Sequence, residues 1–121
     1  MMQLKIPIRP LSVNRASRGR HFKTPEYEKF EVDVSLLLPF NRTCPLEGEL
    51  FIKFNFFLKN YINSDVSNGV KLIEDILVKR GYLKDDRYVK AIYVEKNPVK
   101  DIKDEKMIID IVLYEDRMSV M

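Results

Sequence analysis

Leu50, Ile52, Phe54, Phe56 and Leu58 alternate with Phe51, Lys53, Asn55, Phe57 and Lys59. A period of two over nearly ten residues is the signature of a β-strand whose side chains point alternately to opposite faces. This stretch is the clearest strand in the chain, and it is expected mid-sheet. Whatever else the chain forms must supply neighbours for that strand and a layer to cover it.

The flanking sequence supplies both. Residues 3–8 alternate polar and apolar up to the prolines at 7 and 10 and read as a short strand. Thr24 and Pro25 open a helix as N-cap and first helical residue, with Glu26 and Glu28 at the favourable end of its dipole. Its apolar stripe is Tyr27, Phe30, Val34, Leu37 and Leu38, and Pro39 ends it. Residues 65–80 read as a second helix with Val66, Val70, Ile73 and Leu77 on one face and Gly81 placed as a left-handed C-terminal cap. Residues 88–95 and 107–115 are β-rich runs separated by a charged turn over residues 96–106, and look like a hairpin. The order β-α-β-α-β-β predicts a two-layer α+β fold: a mixed or antiparallel sheet of about four strands with two helices on one face. Residues 1–121 are expected to form a single domain, with a frayed tail at 116–121.

Composition narrows the function classes. A 45% hydrophobic content over 121 residues supports a packed core, and a domain of this size buries about two-thirds of its unfolded surface. Cys44 has no partner, so an internal disulfide is impossible. With His21 it leaves too few ligands for a structural zinc site. The apolar runs fall far short of the roughly 20 residues of a membrane span, and no signal-peptide pattern opens the chain. A cytoplasmic location is expected.

The net charge of +3 conceals a division. Lys5, Arg9, Arg15, Arg18, Arg20 and Lys23 make the first 24 residues a basic arm with no acidic side chain, while the rest of the chain is net acidic. Within residues 11–24 the polar composition predicts an exposed loop. Its Arg15, Arg18, Arg20, His21 and Lys23 suit phosphate contacts that hold a polyanion. The same residues also suit a solubilising loop.

The acidic side chains have a matching pattern. Asn68, Lys71, Asp75 and Lys79 share one face of the second helix, opposite its apolar stripe. Taken singly these are ordinary: Lys71 and Asp75 form a helical pair, Asp65 is an N-cap or first-turn acid, and Asp85 and Asp86 occupy a turn. Taken together, Asp65, Asp85 and Asp86 converge if the strand that Asp85 and Asp86 introduce doubles back beside the helix N-terminus. A carboxylate cluster of that kind is relieved of its repulsion by a hard cation, and Mg²⁺ or Mn²⁺ prefers such oxygen ligands. Phosphodiester hydrolysis is the chemistry such an ion serves, with Lys71 stabilising charge on the phosphoryl group.

The run Asp65-Val66-Ser67-Asn68-Gly69-Val70-Lys71-Leu72-Ile73-Glu74-Asp75-Ile76-Leu77, then Gly81-Tyr82-Leu83-Lys84-Asp85-Asp86 and a strand start at Tyr88-Val89, resembles the RusA-type Holliday junction resolvases. Pro10-Leu11-Ser12-Val13-Asn14-Arg15 and Lys23-Thr24-Pro25-Glu26-Tyr27 are similar to the same family. The resemblance covers residues 3–115. It implies a small homodimeric endonuclease that binds four-way DNA junctions and uses Mg²⁺ or Mn²⁺ to nick two opposed strands, in recombination and repair. It further implies that Asp65 and Asp86 are metal-binding catalytic aspartates and Lys71 the catalytic lysine, with Asn68 and Asp75 supporting the site. Asn14, Arg15, Arg18, Arg20, His21 and Lys23 are then the DNA-binding residues. One departure stands out: the family pattern Asp-x-Asp-Asn reads Asp-Val-Ser-Asn here, with Ser67 in the third position. Either Asp85 or Asp75 supplies the missing charge, or water fills the position, or activity is reduced. The alternative to cleavage is a junction-binding module that keeps the fold.

Overall fold

The computed structural model describes residues 2–11, 17–18, 22–23, 25–62, 64 and 66–121, with backbone only at 17, 18, 22, 23, 67 and 68. Strands β1 (Met2–Ile6), β2 (Ser17–Arg18) and β3 (Phe22–Lys23) precede helix α1 (Pro25–Leu37). Then come β4 (Leu50–Leu58), α2 (Ser67–Lys79), β5 (Val89–Pro98) and β6 (Lys106–Leu113). The main sheet has the order β1-β6-β4-β5. This is the α+β arrangement expected, with β4 paired on both sides.

The expected hairpin of the last two strands is not formed. β4 lies between them, parallel to β5 and antiparallel to β6. The physical reason is burial. Met107, Ile109 and Ile111 of β6 are wholly buried, whereas Ile92 and Val94 of β5 keep substantial exposure, so β6 takes an inner place and β5 an edge. An edge also tolerates Pro98 at the end of β5. The connection from β5 to β6 crosses the end of β4, where the Val99 N–H donates to Leu58 O and the Lys59 N–H to Glu105 Oε2.

Leu50, Ile52, Phe54, Phe56 and Leu58 of β4 all face the core, which both helices cover. From α1 come Phe30 and Val34, followed by Leu38, whereas Leu37, expected on the buried stripe, is half exposed. From α2, Val70, Ile73 and Leu77 are buried as their spacing predicts, together with Val66 just ahead of the helix. Leu72 and Ile76 join them, because α2 packs against α1 as well as the sheet and needs more than one apolar stripe. The α2 N-cap position falls to Val66, which makes no side-chain cap; Asp65, the expected N-cap or first-turn acid, lies outside the described residues.

Gly81 has φ +80. Its N–H donates to Val78 O and the Tyr82 N–H to Leu77 O, the paired bonds of a left-handed helix cap that glycine adopts without strain. This cap reverses the chain and returns residues 82–88 alongside α2. Residues 116–121, expected to fray, belong with a 3-10 segment at Tyr114–Ser119 on the second face of the sheet. Lys53 Nζ of β4 donates there to Val120 O at 2.8 Å. Within the basic arm, β2 and β3 pair as a short ladder where a loop was expected, and Leu11 is buried. Thr24, the expected α1 cap, lies outside the described residues.

Candidate active site

The chain returning from Gly81 enters a single 3-10 turn, Asp86–Tyr88, whose start is fixed by Asp85: its side chain accepts from the Arg87 N–H at 3.0 Å. This turn sets Asp86 against α2. Lys71 Nζ donates to Asp86 Oδ2 at 2.8 Å and lies 3.7 Å from Asp75 Oδ1. The 3-10 turn thus brings Asp86 to Lys71 in the body of α2, while the expected convergence with Asp65 at the helix N-terminus falls outside the described residues.

The electrostatics follow from that geometry. The Lys71 hydrogen bond, then one with Asp85, the charge of Lys71 and the Arg87 N–H hold the Asp86 carboxyl below its ordinary range. Conversely, the hydrogen bond to Asp86 raises Lys71 above its ordinary value. Both groups are thus charged across the neutral range and both remain open to solvent, with side-chain exposures of 63% and 41%. Beside them, between α1 and α2, opens a cavity of about 420 Å³ lined by residues that include Tyr27, Asp75, Lys79, Asp85 and Asp86.

Glu74 is outside the expected set. It is buried on α2 next to Lys71, Asp75 and Asp86, and burial raises its carboxyl above the ordinary value, with the two aspartates adding to the effect and Lys71 opposing it. An acid one helical turn from both the buried Val70 and the buried Leu77 was the available signal, since a helix face turned from solvent seldom takes an acid without a reason.

The structure therefore brings together Lys71, Asp75, Asp85 and Asp86 from the expected set. Asp65, Asn14, Arg15, Arg20 and His21 lie outside the described residues, as do the side chains of Ser67, Asn68, Arg18 and Lys23. Among the described residues no group of three His, Cys, Asp or Glu is disposed to hold a metal ion. The donors that are described, Asp85 and Asp86, are hard carboxylate oxygens of the kind Mg²⁺ and Mn²⁺ take. Among the described residues no helix is long and apolar enough to cross a membrane.

Among curated proteins none matches the chain in sequence. The family model described as Endodeoxyribonuclease RusA matches residues 7–113, a span that takes in both helices, strands β2 to β6 and the Lys71 and Asp86 pair and leaves out β1 and the C-terminal segment. The chain belongs to the RusA endodeoxyribonuclease family.

Proposed function

We propose that this protein is a divalent-metal-dependent, structure-selective endonuclease that resolves four-way DNA junctions by paired phosphodiester cleavage. The observation that carries the reading is the 2.8 Å contact of Lys71 with Asp86 at the open side of α2, in a chain of an endodeoxyribonuclease family. Asp65 and Asp86 are the proposed metal ligands, with Asp85 and Ser67 as further oxygen donors. Bound there, Mg²⁺ or Mn²⁺ would supply an activated water and neutralise charge on the phosphodiester.

The protein's own residues have separable tasks. Asp86, ionised at neutral pH, offers its carboxylate without a protonation cost. Lys71 is a fixed cation whose long side chain can leave Asp86 for a phosphoryl oxygen, where it stabilises developing negative charge. Asn68 and Asp75, on the same helix face, orient Lys71 and the ligands. Asn14, Arg15, Arg18, Arg20, His21 and Lys23 hold DNA phosphates. A homodimer supports the paired cuts, because a two-fold axis presents two equivalent sites to two symmetric strands.

The test is to incubate the purified protein with a synthetic four-way junction and with a linear duplex of equal length, with and without Mg²⁺ or Mn²⁺. Metal-dependent, symmetric nicking of the junction alone is expected. No nicking at protein concentrations that bind all of the junction would overturn the cleavage reading. Ser67 in place of an aspartate favours the second reading, a junction-binding module without cleavage, which predicts salt-sensitive junction affinity and no calorimetric Mn²⁺ site.

A further inference from the structure

Gly69 stands in the first turn of α2, where glycine weakens a helix by about 1 kcal/mol relative to alanine. No unusual backbone angle calls for it, since the described glycines with positive φ are Gly48 and Gly81. What calls for it is a neighbour. A Cβ built on Gly69 would stand 3.3 Å from Leu11 O, 3.7 Å from Leu11 Cβ and 3.9 Å from Leu11 N. The backbone of Leu11 thus lies directly against the start of α2, and both residues are buried.

Leu11 is also the last described residue before Arg15, Arg18, Arg20, His21 and Lys23, the proposed phosphate-holding part of the arm. The five residues leading to it are held at several points. Pro7 and Pro10 restrict the backbone, and the Ile8 N–H closes a tight turn onto Ile6 O at 2.8 Å. Arg9 Nε approaches Glu105 Oε1 at 3.7 Å. That Glu105 side chain is 3% exposed; its Oε2 accepts the Lys59 N–H, while Oε1 has no hydrogen-bond partner. A buried carboxylate oxygen of this kind attracts a nearby cation, and among the described residues Arg9 reaches it.

We infer that Gly69 is a positioning residue for DNA binding: it seats the root of the basic arm on the start of α2, with the Glu105 and Arg9 contact as a second tether. The root of the arm thereby sits on the same helix turn that leads into Lys71. The inference rests on the proposed reading that the arm holds DNA. A methyl group at Gly69 requires Leu11 to move by a few tenths of an ångström, and that displacement is passed to the arm.

The experiment is a two-by-two cycle of junction affinity, measured by fluorescence anisotropy in Ca²⁺ so that cutting does not intrude. Its four proteins are the natural chain, G69A, an arm variant carrying R15A, R18A and R20A, and the combination. Expected is a rise in junction Kd of about five- to tenfold for G69A in the natural background, and no further rise when G69A is added to the arm variant. An unchanged Kd for G69A overturns the inference. So does an equal rise in both backgrounds, which would mean that Gly69 acts on the fold and not through the arm. If the arm variant itself binds like the natural chain, the reading of the arm fails instead, and the two failures are told apart by that column of the cycle. E105Q supplies an independent arm of the test: its affinity loss should likewise vanish in the arm variant, and a loss that persists there counts against the tether.

Discussion

Lys71 on α2 and Asp86 after the Gly81 reversal are 15 residues apart in sequence and 2.8 Å apart in space. A loop that could have run anywhere is drawn back to the helix by a cap at one end and a 3-10 turn at the other, and this places opposite charges in an open cleft. The replacement Asp86→Asn should reduce junction cleavage by a factor of about 10² or more, the scale on which charge-stabilising groups act. Binding of the junction should be kept or tightened, since a negative charge near phosphate is removed. Parallel cleavage and anisotropy titrations check this, and a variant that loses binding and folding together would mark Asp86 as structural. Lys71→Ala should lose cleavage on the same scale with near-normal folding, because an exposed ion pair adds little stability.

Glu74 supports a pH prediction. Its carboxyl is raised by burial first, so the folded state binds a proton more readily than the unfolded chain. Stability from this group is present below the ordinary carboxyl value of 4.5, and it is lost as pH rises through the raised value of the folded state. Glu74→Gln removes that loss. Thermal unfolding should therefore show the variant gaining on the natural protein at pH 7 relative to pH 4. A constant difference between the two across that range would show that Glu74 is not carrying a burial penalty.

The strands and helices were legible because each has its own periodicity: the alternation of β4, the stripe of α2, the glycine after it. The partner of β6 was not, because adjacency in sequence suggested a hairpin, and what decides otherwise is how much surface each strand must hide. The start of α2 could not be read to the residue either, since Val66, which takes the cap position, and Asp65 fit the same local pattern. Of the candidate site, Lys71 with Asp75 followed from helical spacing. The approach of Asp86 depended on a chain reversal that only the Gly81 cap hinted at, and Glu74 passed unnoticed among the apolar residues that bury it.

Ser67 offers a gain-of-function test. If it stands where a third carboxylate serves other members of the family, Ser67→Asp adds one hard anionic donor to the proposed metal set, and ligand charge is what tunes such sites. Calorimetric Mn²⁺ affinity should rise by about tenfold, and the Mg²⁺ concentration for half-maximal cleavage should fall by a similar factor. An unchanged metal dependence would indicate that Ser67 does not face the ion and that Asp75 or Asp85 already supplies the charge.

Asn41 links stability to the site. Its backbone N–H donates to Arg80 O at 2.8 Å and its side-chain amide to Gly81 O at 3.1 Å, while its Oδ1 accepts from the Thr43 N–H and hydroxyl. The end of α2 is thus held by the segment after α1 as well as by its own cap. Asn41→Ala leaves the Gly81 carbonyl without that donor, at a cost of about 1–2 kcal/mol, which for a chain of this size lowers the unfolding midpoint by roughly 3–8 °C. The local consequence should exceed the global one. The amides of Gly81, Tyr82 and Leu83, which bond to Val78 O and Leu77 O, should exchange faster in hydrogen exchange than those of β4. The same reversal carries Asp86 to Lys71, so cleavage should fall while junction affinity holds. Equal loss of protection in β4 and in the reversal would mean that Asn41 serves the whole fold and has no particular hold on the placement of Asp86.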